Sequence, residues 1–337
     1  MSALPGNTPL ARLVFADIAD GAAHSGGQLA ARHGVTRSGV WKAIRALRDL
    51  GADIESLPNR GYRLRNACGA LAREALRRRL SRSVRAQIHS LSCEWSLLST
   101  NATLLERGPP PPGRFDVCLS EHQSGGRGRR GRSWIAPLGG AICLSVAYRF
   151  EQLPRDIGAL SLAVGACALQ VLQSEGLSDV RLKWPNDLLA RGRKLGGILI
   201  ELRAEAGGPT HVVIGIGLNV SLGEAARSAV SRLGAVATDL TELGLADPQR
   251  NRLAAALIAA LIEGITQFEA QGFAPFRARW HDADALLGLA VDVTGAGAAQ
   301  RGVARGINQR GELQLDTPAG RVSILAGDVS VRAEQGA

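Results

Sequence analysis

Between two apolar, strand-like stretches at residues 116–121 and 141–150 lies the run Gly125-Gly126-Arg127-Gly128-Arg129-Arg130-Gly131-Arg132-Ser133-Trp134. It contains Gly-x-Gly-x-x-Gly (Gly126, Gly128, Gly131) and nearly fits a Walker A loop, with Gly126, four residues, then Gly131-Arg132-Ser133. Both phosphate-binding motifs need a helix directly after the loop. Here the chain continues Ile135-Ala136-Pro137-Leu138-Gly139-Gly140, which cannot start a helix, and Arg132 replaces the Walker lysine. A P-loop fold and a dinucleotide-binding Rossmann fold are therefore excluded. What remains is a loop of arginines and permissive glycines suited to a polyanion, above all a nucleotide triphosphate. Such a loop is expected to stay disordered until ligand charge holds it. The competing use is an Arg-Gly tract for nucleic acid, although such tracts usually occupy low-complexity tails.

Strand patterns at 116–121, 141–150, 180–184, 195–202 and 211–220 alternate with helical patterns at 100–106, 157–175, 251–271 and 273–282. The tight Arg191-Gly192-Arg193 turn before Lys194 predicts an antiparallel hairpin. The expected centre is thus an α+β domain on a mixed or antiparallel sheet, not a doubly wound parallel one. The segment from 286 to 332 changes to five short strands (290–294, 301–307, 312–316, 321–325, 329–332) between Gly turns, predicting a small SH3-like β-barrel.

The N-terminus reads as helices over 9–21, 26–33 and 37–50, with Thr36 as N-cap of the third and Gly51 as its stop. On that third helix Val40, Ile44 and Leu47 recur at i, i+4, i+7 and face a core. Two short strands around Pro58-Asn59-Arg60-Gly61 follow. Helix, tight turn, helix and hairpin predict a winged helix-turn-helix whose second helix enters the major groove. Arg37, Ser38, Trp41, Lys42 and Arg45 would face DNA, with Arg60 and Arg63 on the wing. A helical domain with an ordinary solvated basic face is the plain alternative. An arginine-rich linker helix is expected over 71–85. The division is winged domain 1–66, central domain 67–282 and C-terminal domain 283–337.

The net charge of +10 fits anionic partners. Of 40 basic residues only Lys42, Lys183 and Lys194 are lysine, a bias that codon usage explains, yet all three fall in motifs. Five scattered cysteines with no Cys-x-x-Cys pair argue against a disulfide framework; Cys118 and Cys143 read as core thiols. No apolar run is read as long enough to span a bilayer and no leader is evident, so the expectation is a cytoplasmic protein without membrane contact.

Three further motifs share the centre. Lys183-Trp184-Pro185-Asn186-Asp187 ends a strand and holds an amide beside a carboxylate, suited to nucleotide and Mg²⁺ or to a simple Asx turn. Arg193-Lys194-Leu195-Gly196-Gly197-Ile198-Leu199-Ile200-Glu201 and Gly215-Ile216-Gly217-Leu218-Asn219 place paired glycines in strands. Strand glycine costs stability unless a ligand must approach the backbone, so two such strands suit the floor of a small-molecule slot; a core bulge is the bland reading.

Taken in order, Ser99-Thr100-Asn101, Gln123 through Trp134, Lys183–Asp187, Lys194–Glu201 and Gly215–Asn219 resemble the bifunctional biotin protein ligases that double as biotin-operon repressors. The resemblance spans nearly the whole chain. It implies a synthetase-like catalytic domain that activates biotin with ATP and Mg²⁺ to biotinyl-5′-AMP. Biotin then passes to a lysine of the biotin carboxyl carrier protein of acetyl-CoA carboxylase. It also implies operator binding and a monomer that dimerises on adenylate binding. By position, Ser99, Thr100, Asn101 and Gln123 would bind biotin, with Gly126, Arg127, Arg129, Lys194, Gly197 and Gly217. Arg127, Arg129, Arg130, Trp134, Lys183, Asn186, Asp187 and Asn219 would bind ATP, Asp187 also serving Mg²⁺. Arg129 and Lys194 would be catalytic, Arg129 retaining the adenylate. The chain departs from the family at Leu98, where many members are acidic, and at Ala237, where some carry a Trp over the adenine. A lipoate-type acyl ligase and a repressor without ligase activity are the alternatives.

Overall fold

The computed structural model describes residues 8–65, 69–204, 208–245, 249–295, 299–326 and 329–333. The first unit holds α1 (Pro9–Ile18), α2 (Gly26–His33) and α3 (Arg37–Asp49), then the hairpin β1 (Ile54–Leu57) and β2 (Gly61–Leu64). Each helix starts on a hydroxyl cap: Thr8, Ser25 in a capping box with Gln28, and Thr36. Val40, Ala43, Ile44 and Leu47 of α3 are buried with Val14, Phe15 and Ile18 of α1, so one face of each helix makes the core. A Cβ on Gly61 would lie 2.0 Å from the His24 carbonyl oxygen, so only glycine lets the wing pair back onto the start of α2. The winged helix-turn-helix read from the sequence is present.

The linker differs from expectation. Instead of one helix over 71–85 there are two, α4 (Arg73–Arg79) and α5 (Arg82–Gln87). Leu80 turns extended and buried, and Ser81 caps the second helix by accepting from the Val84 N–H. The expected boundary between residues 66 and 67, and Cys68 beside it, lie outside the described residues.

The central unit contains β3 (Ile88–Leu97), α6 (Thr100–Arg107), β4 (Phe115–Gln123), β5 (Ala141–Phe150), α7 (Leu160–Ser174), β6 (Val180–Lys183), β7 (Asp187–Ala190), β8 (Arg193–Ala204), β9 (Thr210–Asn219), α8 (Glu224–Arg232), α9 (Arg250–Gln271) and α10 (Ala274–Asp282). Its seven-stranded sheet runs β3-β4-β5-β9-β8-β7-β6. It is mixed: β3 and β4 are parallel, and every other neighbouring pair is antiparallel. Strand alternation gives the sheet two apolar faces. Val117, Ile142, Leu144, Val146, Ile214 and Ile216 bury with α7 and α9, while Cys118, Ala147 and Val213 bury under Leu104 and Leu105 of α6. That second face is covered by α6 at one end and by Trp134 with Ala136 over Cys143 further along.

Two segments, Ile157–Ser174 and Arg250–Gln271, are long and apolar enough to cross a membrane by length and composition alone. That corrects the reading that no apolar stretch is long enough. Both serve as core helices here, packed on each other and on the sheet.

The last unit is a five-stranded antiparallel sheet in the order β13-β12-β11-β10-β14: β10 (Ala290–Gly295), β11 (Gln300–Ile307), β12 (Leu313–Thr317), β13 (Gly320–Ile324) and β14 (Val329–Ala333). Val291, Leu313, Leu315 and Ile324 join the core of the central unit. Trp184 fixes the two together by donating its indole N–H to the Gly311 carbonyl at 3.0 Å.

Candidate active site

The sheet register lines up a transverse row on the less covered face: Ser120, Cys143, Gly217, Gly197, Asp187 and Lys183, on β4, β5, β9, β8, β7 and β6 in turn. Two glycines side by side at its middle leave a trough with a floor of bare backbone. A Cβ on Gly217 would lie 2.4 Å from the Trp134 ring. A Cβ on Gly197 would lie 3.3 Å from Lys194 Nζ. Both strand glycines singled out in the sequence therefore make room for groups lying on the sheet. Beneath Trp134, burial pushes the Cys143 thiol up to about 12, so it stays an uncharged part of the floor. Cys93, Cys118, Cys143 and Cys167 are all free thiols.

The arginine loop closes the trough. It folds back as a hairpin: Gly128 N–H donates to the Arg132 carbonyl at 2.7 Å and Trp134 N–H to the Gly126 carbonyl at 2.9 Å. Arg130 adopts φ 59° at its tip. Arg127, Arg130 and Arg132 are exposed, while Arg129 is half-buried. Arg129 donates to Asn186 Oδ1 at 3.4 Å and to the Ala326 carbonyl at 3.3 Å. The guanidinium thereby joins the loop, the Trp184–Asn186 turn and the C-terminal unit. The Trp134 indole N–H is buried and bonds no nitrogen or oxygen; the Cys143 sulfur is beside it. A buried donor without a strong acceptor is costly, and it suits a site awaiting a polar ligand.

Lys194 is aimed across the trough by Asp187, with Nζ 2.6 Å from Oδ1, and lies 5.9 Å from the Trp134 ring centroid. Its backbone is stitched to the loop of Ala237: Lys194 N–H donates to the Val236 carbonyl and Thr238 N–H to the Lys194 carbonyl, each at 2.9 Å. Asn219 is buried, and its amide donates to the Lys194 and Thr238 carbonyls at 3.3 and 3.0 Å. It therefore holds that loop in place. Asn186 likewise donates to the Ile198 carbonyl at 2.7 Å. Lys183 ends β6 at the rim of the row.

At the other end, Gln123 Oε1 accepts from the Thr100 N–H at 2.7 Å and the Thr100 hydroxyl at 3.2 Å. Ser99 caps α6. Ser145 Oγ lies 2.6 Å from both Thr100 Oγ1 and Asn101 Oδ1. Asn101, expected among the biotin ligands, is committed inside the protein: its amide donates to the Leu199 carbonyl at 3.2 Å and Glu201 Oε2 at 2.8 Å. A Cβ on Gly215 would lie 2.3 Å from Asn101 Oδ1, so that glycine serves Asn101 instead of a ligand. Ser145 escaped the sequence reading, although a lone hydroxyl in the run Ile142-Cys143-Leu144-Ser145-Val146 was its signal. Thr238 and Asp239 also escaped. Asp239 is fully buried and receives the Leu222 and Glu242 N–H groups at 2.8 Å, pinning the Ala237 loop.

Among the described residues no group of three His, Cys, Asp or Glu side chains is placed to hold a metal. Asp187 is the carboxylate expected to serve Mg²⁺, and it is engaged by Lys194.

On the first unit Arg37, Ser38, Trp41, Lys42 and Arg45 are all exposed on α3, and Arg60 is exposed at the tip of the wing. The Arg45 guanidinium stacks 5.9 Å from the Trp41 ring. Arg63 is instead paired with Glu55 at 2.7 Å across the hairpin. Arg48 ties α3 to the wing through the Ile54 carbonyl at 2.8 Å. The result is a preformed basic helix face beside a basic turn.

Comparison with known proteins covers the same three units. Models of the biotin/lipoate A/B protein ligase family match residues 99–219 and 164–282. An HTH-domain model matches 18–63, and a biotin protein ligase C-terminal domain model matches 286–332. The bifunctional ligase/repressor BirA of Escherichia coli is 36% identical over 96% of this chain and 97% of its own length. The biotin–[acetyl-CoA-carboxylase] ligase of Mycobacterium tuberculosis is 39% identical over 74% of this chain and 94% of its own. A biotin protein ligase from Aquifex aeolicus, solved with biotin and ATP, superposes with a TM-score of 0.60 at 25% identity, covering 74% of this chain and 99% of that one.

Proposed function

From the premise that this chain belongs to the biotin protein ligases of the bifunctional ligase/repressor type, we propose that its glycine-floored trough is where biotin and ATP meet. The chain is a biotin ligase bearing a DNA-binding helix-turn-helix. The observation that carries the site is the transverse row, with Gly217 and Gly197 side by side between the Gln123–Thr100 pair and Lys194. Gln123, Thr100 and Ser99 take the ureido head of biotin, whose donors and acceptor match an amide beside hydroxyls. The fused ring lies over Gly217, with the Trp134 indole moving off the floor. The valeryl carboxylate runs toward Lys194 and Arg129.

ATP is bound by Arg127, Arg129, Arg130, Trp134, Lys183 and Asn186, with Asp187 and Asn219 organising the Lys194 side. Mg²⁺ enters as the counter-ion of the triphosphate. A biotin carboxylate oxygen attacks the α-phosphorus, the bond to the bridging oxygen breaks, and pyrophosphate leaves with biotinyl-5′-AMP formed. Two anions must approach, and arginines with Lys194 in a partly dry trough stabilise the charge that develops. A lysine ε-amine of the acceptor then attacks the acyl carbon, AMP leaves, and the amine proton is lost to solvent. The acceptor is the biotin carboxyl carrier protein of acetyl-CoA carboxylase.

The three parts, 1–66, 67–282 and 283–337, divide the work into operator binding, catalysis and closure of the site by Ala326 on Arg129. The protein acts in the cytoplasm and passes from monomer to homodimer on adenylate binding. Biotin-dependent exchange of labelled pyrophosphate into ATP tests the first half-reaction. The reading expects exchange with biotin and none with lipoate; exchange with lipoate alone would overturn it.

A further inference from the structure

One buried charged pair has no part in ligation chemistry. Glu121 of β4 and Arg250 in the first turn of α9 meet at 2.7 and 2.9 Å, with side chains only 4% and 1% exposed. A pair so buried persists only when its remaining hydrogen-bonding capacity is also satisfied, and those further bonds show what it holds. Arg250 donates twice to the Gly69 carbonyl, at 3.0 and 2.7 Å. Glu121 accepts the Leu71 N–H. Neighbouring Asn251 donates to the Ala70 carbonyl at 2.7 Å and accepts the Ala72 N–H at 2.9 Å. Residues 69–72, the peptide joining the winged unit to the rest, are thus gripped one after another by side chains of β4 and α9.

The same pair touches the ligand site from behind. Glu121 precedes Gln123 by two residues on β4. Arg250 also donates to the Ala141 carbonyl at 3.2 Å, where β5 begins after the arginine loop. Between that loop and β5, Leu138 N–H donates to the Leu50 carbonyl at 3.1 Å, at the end of α3. One guanidinium therefore bridges the linker, the strand that carries Gln123 and the far end of the loop that carries Arg129.

We infer that Glu121, Arg250 and Asn251 form a linker clamp whose hold on residues 69–72 tightens when the trough is filled, fixing the winged unit for DNA. This rests on the trough being the biotin and ATP site. A ligand that draws Gln123 and the loop together stiffens the two backbones that Glu121 and Arg250 grip. The Leu71 and Ala72 N–H groups then open less often. The three residues position the linker and touch no substrate.

The test is amide hydrogen exchange over residues 69–75 in the full chain, with and without biotin plus ATP. Bound labelled biotin is measured in the same samples. The clamp predicts exchange slowed about tenfold by the substrates in the native protein. That response disappears in Asn251→Ala and in the double variant Glu121→Met with Arg250→Met, which removes both charges together. Both variants should keep biotin-dependent pyrophosphate exchange. If the double variant does not fold, Asn251→Ala alone decides. Linker exchange unaltered while biotin is bound, or a full response in the variants, overturns the clamp. Failure of biotin to bind overturns the site beneath it, and the clamp with it.

Discussion

At the scale of single residues the trough depends on side chains that have little freedom. Lys194 fits between Asp187 and the bare backbone of Gly197, a space that suits a slender ammonium and not a planar guanidinium. Lys194→Gln should lower biotin-dependent pyrophosphate exchange by roughly 10²–10³-fold, the usual cost of losing one preorganised charge. Lys194→Arg should rescue little of it. Arg129→Gly should release the adenylate early, read as biotin on lysines of bystander proteins; unchanged selectivity would count against the role given to Arg129. Asn101 and Gly215 are coupled by contact. Asn101→Ala leaves Ser145 and Glu201 short of partners and should cost about 1–3 kcal/mol. Gly215→Ala should be destabilising alone and less so in the Asn101→Ala background, which a double-mutant cycle in urea would measure.

At the scale of elements, legibility followed periodicity. The face of α3 with Val40, Ile44 and Leu47, and the strand Ala141–Phe150, were readable because a single period runs through each. β3 was missed although Leu91, Cys93, Trp95 and Leu97 alternate with polar residues, the period of a half-buried edge strand, because the strands singled out were continuous apolar runs. α8 was missed because it buries only Ala226. The hairpin read from the Arg191-Gly192-Arg193 turn is there as β7 and β8, but that β7 starts as early as Asp187 is visible only in its pairing with Gly197. In the site, the glycine strands and the arginine loop were legible as chemistry. The inward commitment of Asn101 was not, because its partners Leu199 and Glu201 are about a hundred residues away. β9 begins near His211, whose buried Nε2 has no partner. Burial, and after it Arg203, hold that imidazole below its ordinary value, so the unfolded chain takes up the proton first. His211 should therefore cost nothing above the unfolded pKa of about 6.5 and subtract stability as pH falls below it. The urea midpoint should drop from pH 7.5 to 5.5, and His211→Gln should flatten that dependence.

At the scale of the whole molecule the units share contacts that make them one device. Phe15 of α1 meets Trp95 of β3 edge-on, with centroids 5.3 Å apart, and Trp184 and Arg129 reach the C-terminal unit. Exposed arginines on α3 and the wing imply DNA affinity that falls steeply with salt. Replacing Arg37, Lys42 and Arg45 by Gln should reduce the slope of log K against log salt by about 3. The central claim is narrower, that the trough makes and spends biotinyl-5′-AMP. Its most direct test is transfer of labelled biotin to a purified biotin carboxyl carrier domain, with and without ATP and Mg²⁺. The account predicts ATP-dependent labelling of one acceptor lysine, lost in Lys194→Gln. Transfer of lipoate or octanoate in place of biotin, or labelling that survives loss of Lys194, would contradict it.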